Sequence, residues 1–286
     1  MTCFFVSDLH GRADRYRKLF EAIRTNQPEA VFFGGDLLPS AWQTGIDYGP
    51  FADRFIEDFL VKHLHTLKNE LKKNYPRNFL ILGNDDARSE ERKIFEAEKS
   101  ALLEYVHNKK AHFDGYFVYG YSYIPPSPFL LKDWESYDVS RYVEPGCVSP
   151  EDGFRSVAVL KDEVKYRTIS GDLDRLAGQD DLAQAIFLFH APPYKTKLDR
   201  AALDGKKIDH VPLDPHVGSI AIQRFIQSRQ PLLTLHGHIH EAPGLTSTWR
   251  DRIGRTHLFS AAHDGPELAL VRFDLGNIEG ATRELI

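Results

Sequence analysis

Cys3-Phe4-Phe5-Val6-Ser7-Asp8-Leu9-His10 opens the chain with a short apolar run that stops at an aspartate and a histidine two residues apart. The arrangement returns four times. Ala30-Val31-Phe32-Phe33 leads to Gly35-Asp36, and Phe79-Leu80-Ile81-Leu82 to Gly83-Asn84-Asp85-Asp86. Ile186-Phe187-Leu188-Phe189 leads to His190-Ala191, and Leu232-Leu233-Thr234-Leu235 to Gly237-His238-Ile239-His240. Uninterrupted apolar runs of this length, rich in aromatic and branched side chains, read as strands covered on both faces. Each polar block then falls where a buried strand gives way to a loop, which is where α/β proteins place their chemistry.

Seven residues in these blocks can ligate a metal: Asp8, His10, Asp36, Asn84, His190, His238 and His240. On extended backbone residues i and i+2 point the same way, so Asp8 can join His10, and His238 can join His240, around one object. The set offers imidazole and oxygen donors without thiolate, which suits Mn²⁺, Fe, Zn²⁺ or Ni²⁺ better than Ca²⁺ alone or an iron–sulfur cluster. Asp-x-His alone is common, and Gly-Asp after a strand is also an ordinary turn. Gly-His-x-His after a strand is more specific, and the order of all five blocks carries the metal reading.

That order resembles the calcineurin-like metallophosphoesterases, whose pattern runs Asp-x-His, Gly-Asp, Gly-Asn-His-(Asp/Glu), a lone His, then Gly-His-x-His. The resemblance spans Asp8 to His240. It implies a four-layer αββα sandwich of two mixed sheets flanked by helices. It also implies that Asp8, His10 and His240 hold one metal, that Asn84, His190 and His238 hold a second, and that Asp36 bridges them. Two divalent ions, with Mn²⁺ the first expectation, would clamp a phosphoryl oxygen and generate a hydroxide for in-line attack on phosphorus. No protein nucleophile is then needed, in keeping with two unremarkable cysteines, Cys3 and Cys147, and with the lack of a Gly-x-Ser-x-Gly elbow or a P-loop. The catalytic group on this reading is Asp36, Asn84, Asp85 and His190, with Asn84 and Tyr194 as substrate contacts.

One position departs from the family pattern. Asp85 stands where Gly-Asn-His carries the histidine generally assigned to protonating the leaving group or steadying the transition state. A carboxylic acid does that work near neutrality only when burial or neighbouring anions raise its pKa. By resemblance, members without the histidine favour phosphodiesters and activated esters, and some relatives have become scaffolds without catalysis. Three functions follow from this: a dinuclear-metal phosphodiesterase acting on a small or nucleotide-like ester, a phosphomonoesterase or protein phosphatase with the same metals, and a metal-retaining binding scaffold. Retention of all seven ligand positions argues against the scaffold, and Asp85 favours the diesterase.

The 286 residues, 42% of them hydrophobic and 27% charged, can bury a sizeable core and need not be split into domains. A net charge of −5 leaves no footprint for a long nucleic-acid duplex. The first residues lack the basic start and long apolar centre of a signal peptide, and no apolar run approaches a membrane span, so a cytoplasmic protein is expected, and the family resemblance implies a small-molecule phosphoester substrate. The oligomeric state is not legible.

Between the blocks, Ala13 to Asn26 carries Tyr16, Leu19, Phe20 and Ile23 at helical spacing, and Phe51 to Asn74 carries Phe55, Phe59, Leu60, Leu64, Leu67 and Leu71. A third amphipathic segment is read from about Glu90 to Val106. His63 and His65 do not share a helix face and are read as structural. His107 and His112, set among lysines, are read as solvated or terminal, and His210, His216, His257 and His263 have no paired donors in the sequence. After a strand over Phe113–Tyr121, the proline-dense Tyr121–Pro128 stops regular structure. Residues 122–170 carry none of the family's motifs and read as an elaboration of one domain covering 1–286, with a hairpin over Ser156–Ile169 turning near Asp162-Glu163. Lys195, Lys197, Arg200, Lys206 and Lys207 could steer an anion. Ser219 reads as the N-cap of a helix over Ile220–Ile226, an end where a phosphate could sit, and Glu241 as an acceptor that orients a ligand histidine. The tail from Thr256 to Leu275 is rich in strand signal.

Overall fold

Along the first strand the side chains divide by parity. Cys3 and Phe5 join one core cluster, whereas Phe4 and Val6 join another, and all four are fully buried. A strand buried on both faces needs a layer on each side, and the chain supplies a second sheet for one face and helices for the other.

The computed structural model describes residues 1–40 and 54–286. In chain order these form β1 (Thr2–Val6), α1 (Ala13–Asn26), β2 (Ala30–Gly34), and a π-helical stretch over Phe55–Val61 that runs into α2 (Lys62–Leu71). Next come β3 (Arg77–Ile81), α3 (Glu91–Lys99), β4 (Glu104–Tyr105), β5 (Lys110–Phe113), β6 (Tyr116–Tyr121), α4 (Lys161–Tyr166), α5 (Ile169–Ala177) and β7 (Ala185–Phe189). The chain continues through β8 (Lys207–Ile208), β9 (Val211–Pro212), α6 (Ile220–Arg229), β10 (Leu233–His236) and α7 (Ala242–Thr246). It ends with β11 (Arg250–Ile253), β12 (Thr256–Ser260), β13 (Ala269–Asp274) and β14 (Asn277–Leu285).

One sheet of six strands has the order β14-β13-β1-β2-β3-β4, and the other the order β11-β12-β10-β7-β6-β5. Both are mixed. β1, β2, β3 and β4 run parallel while β13 lies antiparallel to β1, and β6, β7, β10 and β12 run parallel while β5 and β11 are antiparallel edges. Phe5, Phe32 and Phe79 of the first sheet meet Val118, Ile186, Leu188 and Leu235 of the second in the central layer. On the outer faces, Phe4, Val31 and Phe33 belong to the cluster of Leu19, Phe20 and Ile23 from α1, and Phe187 packs edge-on against Phe225 of α6 at 5.0 Å. This is the expected αββα sandwich. Phe32 is fully buried and stacks on Phe79 at 5.3 Å, so truncating it to alanine costs about 3–5 kcal/mol.

The structure corrects several local expectations. Residues 156–169 form no hairpin, since 161–166 are helical: Asp162 and Glu163 lie in the first turn of α4 and Lys165 in the last, each at the helix end that favours its charge. The third amphipathic segment stops being helical at Lys99, and the chain beyond it re-enters the first sheet as β4. The helix foreseen from Phe51 begins outside the described residues. His107 is buried, not solvated. Its Nδ1 accepts from the Ser122 N–H at 3.1 Å, and its ring meets Trp134 edge-on at 4.9 Å. Burial, with Arg167 and Arg88 near, holds its pKa well below the ordinary value. His112 is exposed, as read; His65, read as structural, is also exposed, on α2.

The elaboration at 122–170 has little regular structure but is pinned by isolated bridges, Ile124 to Glu135, Leu131 to Phe154 and Tyr137 to Thr168. It also reaches the core helix α6. Ser219 caps that helix as read, its Oγ accepting from Ile222 N at 3.0 Å. Asp138 of the elaboration takes Ile220 N at 2.7 Å and Ala221 N at 3.1 Å, so the end where a phosphate was conceivable holds the chain's own carboxylate.

Candidate metal centre

Because β1, β2 and β3 are parallel neighbours, their loops leave the sheet at the same end, and β7 and β10 do the same in the facing sheet. Backbone hydrogen bonds lace the first two loops together: Asp8 N to Gly35 O at 2.9 Å, His10 N to Asp36 O at 2.8 Å, and Gly11 N to Leu37 O at 2.9 Å. Gly237 N donates to His190 O at 2.9 Å in the other sheet. The ligand pairs do not meet by strand alternation, however. Asp8, His10, Asp36 and His238 all have left-handed backbone, with φ of 56°, 47°, 53° and 74°. Such conformations cost roughly 1–3 kcal/mol each and persist where the surroundings over-determine them. The bends, not an extended strand, turn these side chains to one point.

Close packing of the loops explains two glycines. A Cβ on Gly83 would lie 2.7 Å from His190 Cε1 and strike Asp36, and one on Gly35, whose φ is 90°, would lie 2.6 Å from His190 Nδ1.

All seven predicted ligands converge. Asp8, His10, Asp36 and His240 offer ligand atoms within 4.8 Å of one another, and so do Asp36, His190 and His238. Asp36 belongs to both groups. Asn84 joins the second, its Oδ1 lying 3.0 Å from His190 Nε2. His190 Nδ1 lies 2.8 Å from Gly34 O, a partner that accepts only, so the Nδ1–H donates there and Nε2 is the nitrogen turned to the pocket, where it faces Asn84 Oδ1 and Asp36 Oδ2. His10 is arranged the same way: Nδ1 lies 3.2 Å from Asp85 Oδ2, and Nε2 faces His240 Nε2 at 3.2 Å. Ser7 Oγ donates to Asp8 Oδ2, while Asp8 Oδ1 accepts from His238 N at 3.0 Å. Arg15, buried, donates to the Asp8 carbonyl at 2.6 Å.

Burial opposes ionisation of Asp36, yet His190 and His10 beside it draw its carboxyl down to about 2. Burial likewise opposes charge on His190, and the same Asp36 overrides it and raises the imidazole to about 9. His238 is pushed down to about 3 by burial, with His190 adding to the effect. Asp36 therefore favours the protonated form of His190, and an ion bound through that imidazole would displace its proton. Two anionic oxygens, an amide oxygen and four imidazoles around a common point form a donor set that fits a pair of divalent ions.

Sequence reading gave Asp86 no role, yet its carboxylate is fully buried and accepts Leu37 N at 2.9 Å, Leu38 N at 2.7 Å and Gly83 N at 2.9 Å. It ties the loop of Asp36 to that of Asn84. Burial, with Asp36 adding, pushes its carboxyl up to about 7 against the pull of those N–H groups. His236 was also missed. It lies under the site between Ala191 O at 2.9 Å and Thr234 Oγ1 at 2.7 Å, stacked on Phe189, and burial lowers it to about 4. Tyr194, expected at the substrate, turns its hydroxyl to Asp214 at 2.6 Å. Glu241 accepts from Ala202 N at 3.2 Å instead of a ligand histidine; the Nδ1 atoms of His10 and His190 face Asp85 and Gly34 O. His216 pairs with Asp199 at 2.8 Å and His263 with Glu267 at 2.9 Å, apart from the seven ligands.

A family model for the calcineurin-like phosphoesterases matches residues 1–242. The chain belongs to that family. It is therefore a metal-dependent phosphoester hydrolase of a family that uses a dinuclear divalent centre on small phosphoester substrates. No curated protein matches the sequence. Among solved structures, the protein TT1561 of Thermus thermophilus is similar at 16% identity and TM-score 0.57, with 99% of this chain and 98% of that one covered. A dimetal phosphatase from Danio rerio is similar at 14% identity and TM-score 0.51, with 95% and 91% covered. At these identities the likeness is one of fold. Among the described residues no helix is long and apolar enough to cross a membrane.

Proposed function

We propose that this chain is a cytoplasmic phosphodiesterase that hydrolyses a small or nucleotide-like ester at a pair of divalent ions, Mn²⁺ preferred. Asp8, His10, Asp36 and His240 hold one ion, and Asp36, Asn84, His190 and His238 the other. When bound there, the two ions would supply a polarised phosphoryl oxygen and a water of lowered pKa, the chemistry that in-line displacement at phosphorus needs. Asn84 and His190 also face the phosphoryl group, and residues 1–286 work as one unit.

The observation that carries the diesterase reading is the contact of Asp85 Oδ2 with His10 Nδ1 at 3.2 Å, with Ser40 Oγ donating to Oδ1 at 2.8 Å. A carboxylate engaged with the far nitrogen of a ligand histidine fixes the ring and raises its basicity. It is then not a proton donor. Poor leaving groups gain about 10²–10⁴-fold from general acid catalysis, so an enzyme without that donor is best matched to esters whose leaving group departs unaided. With Mn²⁺ added, bis(p-nitrophenyl) phosphate is hydrolysed more readily than an unactivated phosphomonoester, and EDTA abolishes the activity. Efficient metal-dependent dephosphorylation of phosphoserine peptides without diesterase activity would reverse the assignment.

A further inference from the structure

Residues 122–170 carry no family motif, yet one side chain from them reaches the back of the ligand loops. Trp134 is fully buried, and its indole N–H donates to the backbone carbonyl of Asp86 at 2.8 Å. The neighbouring Asp133 accepts from Arg88 N at 2.8 Å and from Ser156 N at 2.9 Å, and the Arg88 guanidinium lies over the Trp134 ring at 5.3 Å. The elaboration thus grips the chain on the carboxyl side of the Asn84-Asp85-Asp86 turn. That turn is otherwise closed by Asp86 N donating to Gly83 O at 3.1 Å.

We infer that Trp134 is a positioning residue for the metal centre, acting through Asp86 on the loops that carry Asp36 and Asn84. The inference rests on the dinuclear reading above. Its physical basis is a relay of directional bonds. The indole fixes the Asp86 carbonyl, which fixes the peptide plane, and so the Asp86 carboxylate stays on Leu37 N, Leu38 N and Gly83 N. Asp36 precedes Leu37 and Asn84 follows Gly83, so two donors of the second group depend on that carboxylate, against one donor of the first. Positioning bonds of this kind typically affect metal affinity about 10–100-fold. The elaboration is on this account a brace for the second ion.

The test uses the full chain, stripped with EDTA and titrated with Mn²⁺ by calorimetry and electron paramagnetic resonance. Wild type should take up two ions and show the signal of a coupled pair; fewer than two would overturn the dinuclear reading and this inference with it. Trp134→Phe removes the N–H and keeps most of the ring. It should weaken the second ion about 10–100-fold, leave the first close to wild type, and show isolated Mn²⁺ where wild type shows the pair. Tyr137→Phe, which removes a hydroxyl held by Glu151 at 2.6 Å in the same elaboration, should keep the coupled signal. If Trp134→Phe retains both affinities, weakens both ions equally, or is matched by Tyr137→Phe, the relay is refuted. Should Trp134→Phe fail to fold, Asp133→Asn carries the test: it loosens the Arg88 anchor, and an unchanged second-ion affinity overturns the inference.

Discussion

Asp85→Asn keeps the shape of the side chain and removes its charge. The amide oxygen can take the proton of His10 Nδ1, while the amide nitrogen turns to Ser40 Oγ, which can accept it, so both contacts survive in neutral form. A hydrogen bond to an ionised group contributes about 1.5–3 kcal/mol and a neutral one about 0.5–1.5 kcal/mol. The difference, about 1–1.5 kcal/mol, corresponds to roughly tenfold in the affinity of the ion that His10 holds. Asp85→Ala also releases the ring, and its loss should be larger, toward the 100-fold end of the range for groups that orient metal ligands. Mn²⁺ titration of the stripped protein reads the affinity directly. Hydrolysis rates of aryl phosphodiesters of graded leaving-group pKa then separate the two roles open to Asp85. If it orients His10, the rate loss is uniform along the series and recedes as Mn²⁺ is raised to saturation. Unchanged Mn²⁺ affinity together with a loss that steepens toward poor leaving groups would show that Asp85 is the general acid.

Asp36→Asn should lower the affinity for both ions, because Asp36 is common to both ligand groups, whereas His10→Ala should chiefly weaken one; metal content after dialysis distinguishes them. His107 is buried and held neutral, so below about pH 6.5 the unfolded chain takes up a proton that the folded chain does not, and stability falls with acidity by about 1.4 kcal/mol per pH unit from this residue. Urea unfolding of His107→Asn between neutrality and pH 5 should lack that increment of slope, and an unaltered slope would show that His107 is not held neutral. Ser219→Ala removes the cap of α6 and a hydroxyl donated to Asp138, and should cost about 1–2 kcal/mol, seen as a Tm lowered by a few degrees with metal binding intact.

The ligands were legible for a local reason. Each follows a run such as Phe79–Leu82 or Ile186–Phe189, whose unbroken apolar character shows a strand buried on both faces, and burial makes a following aspartate or histidine conspicuous. The helix over Ala13–Asn26 and the cap at Ser219 were equally local, resting on periodicity and on one side chain bonding a backbone N–H three residues away. His107 misled because the groups that bury it are not the nearby Lys109 and Lys110 but come from further along the chain. They are Ser122, Tyr121 and Trp134.

Sequence by itself carried the family resemblance, which implied the αββα layering, and picked out the seven residues that converge, since the motifs depend on residue type and on order along the chain. Tertiary structure alone decided how the donors are aimed. The left-handed bends at Asp8, His10, Asp36 and His238 are set by hydrogen bonds between loops of neighbouring strands, not by the preferences of those residues. That Asp85 Oδ2 lies 3.2 Å from His10 Nδ1 is likewise invisible in the sequence. The grip of Trp134 on Asp86 joins residues 48 apart. A hydrogen bond is a matter of ångströms and angles, and only the folded chain supplies those between distant segments.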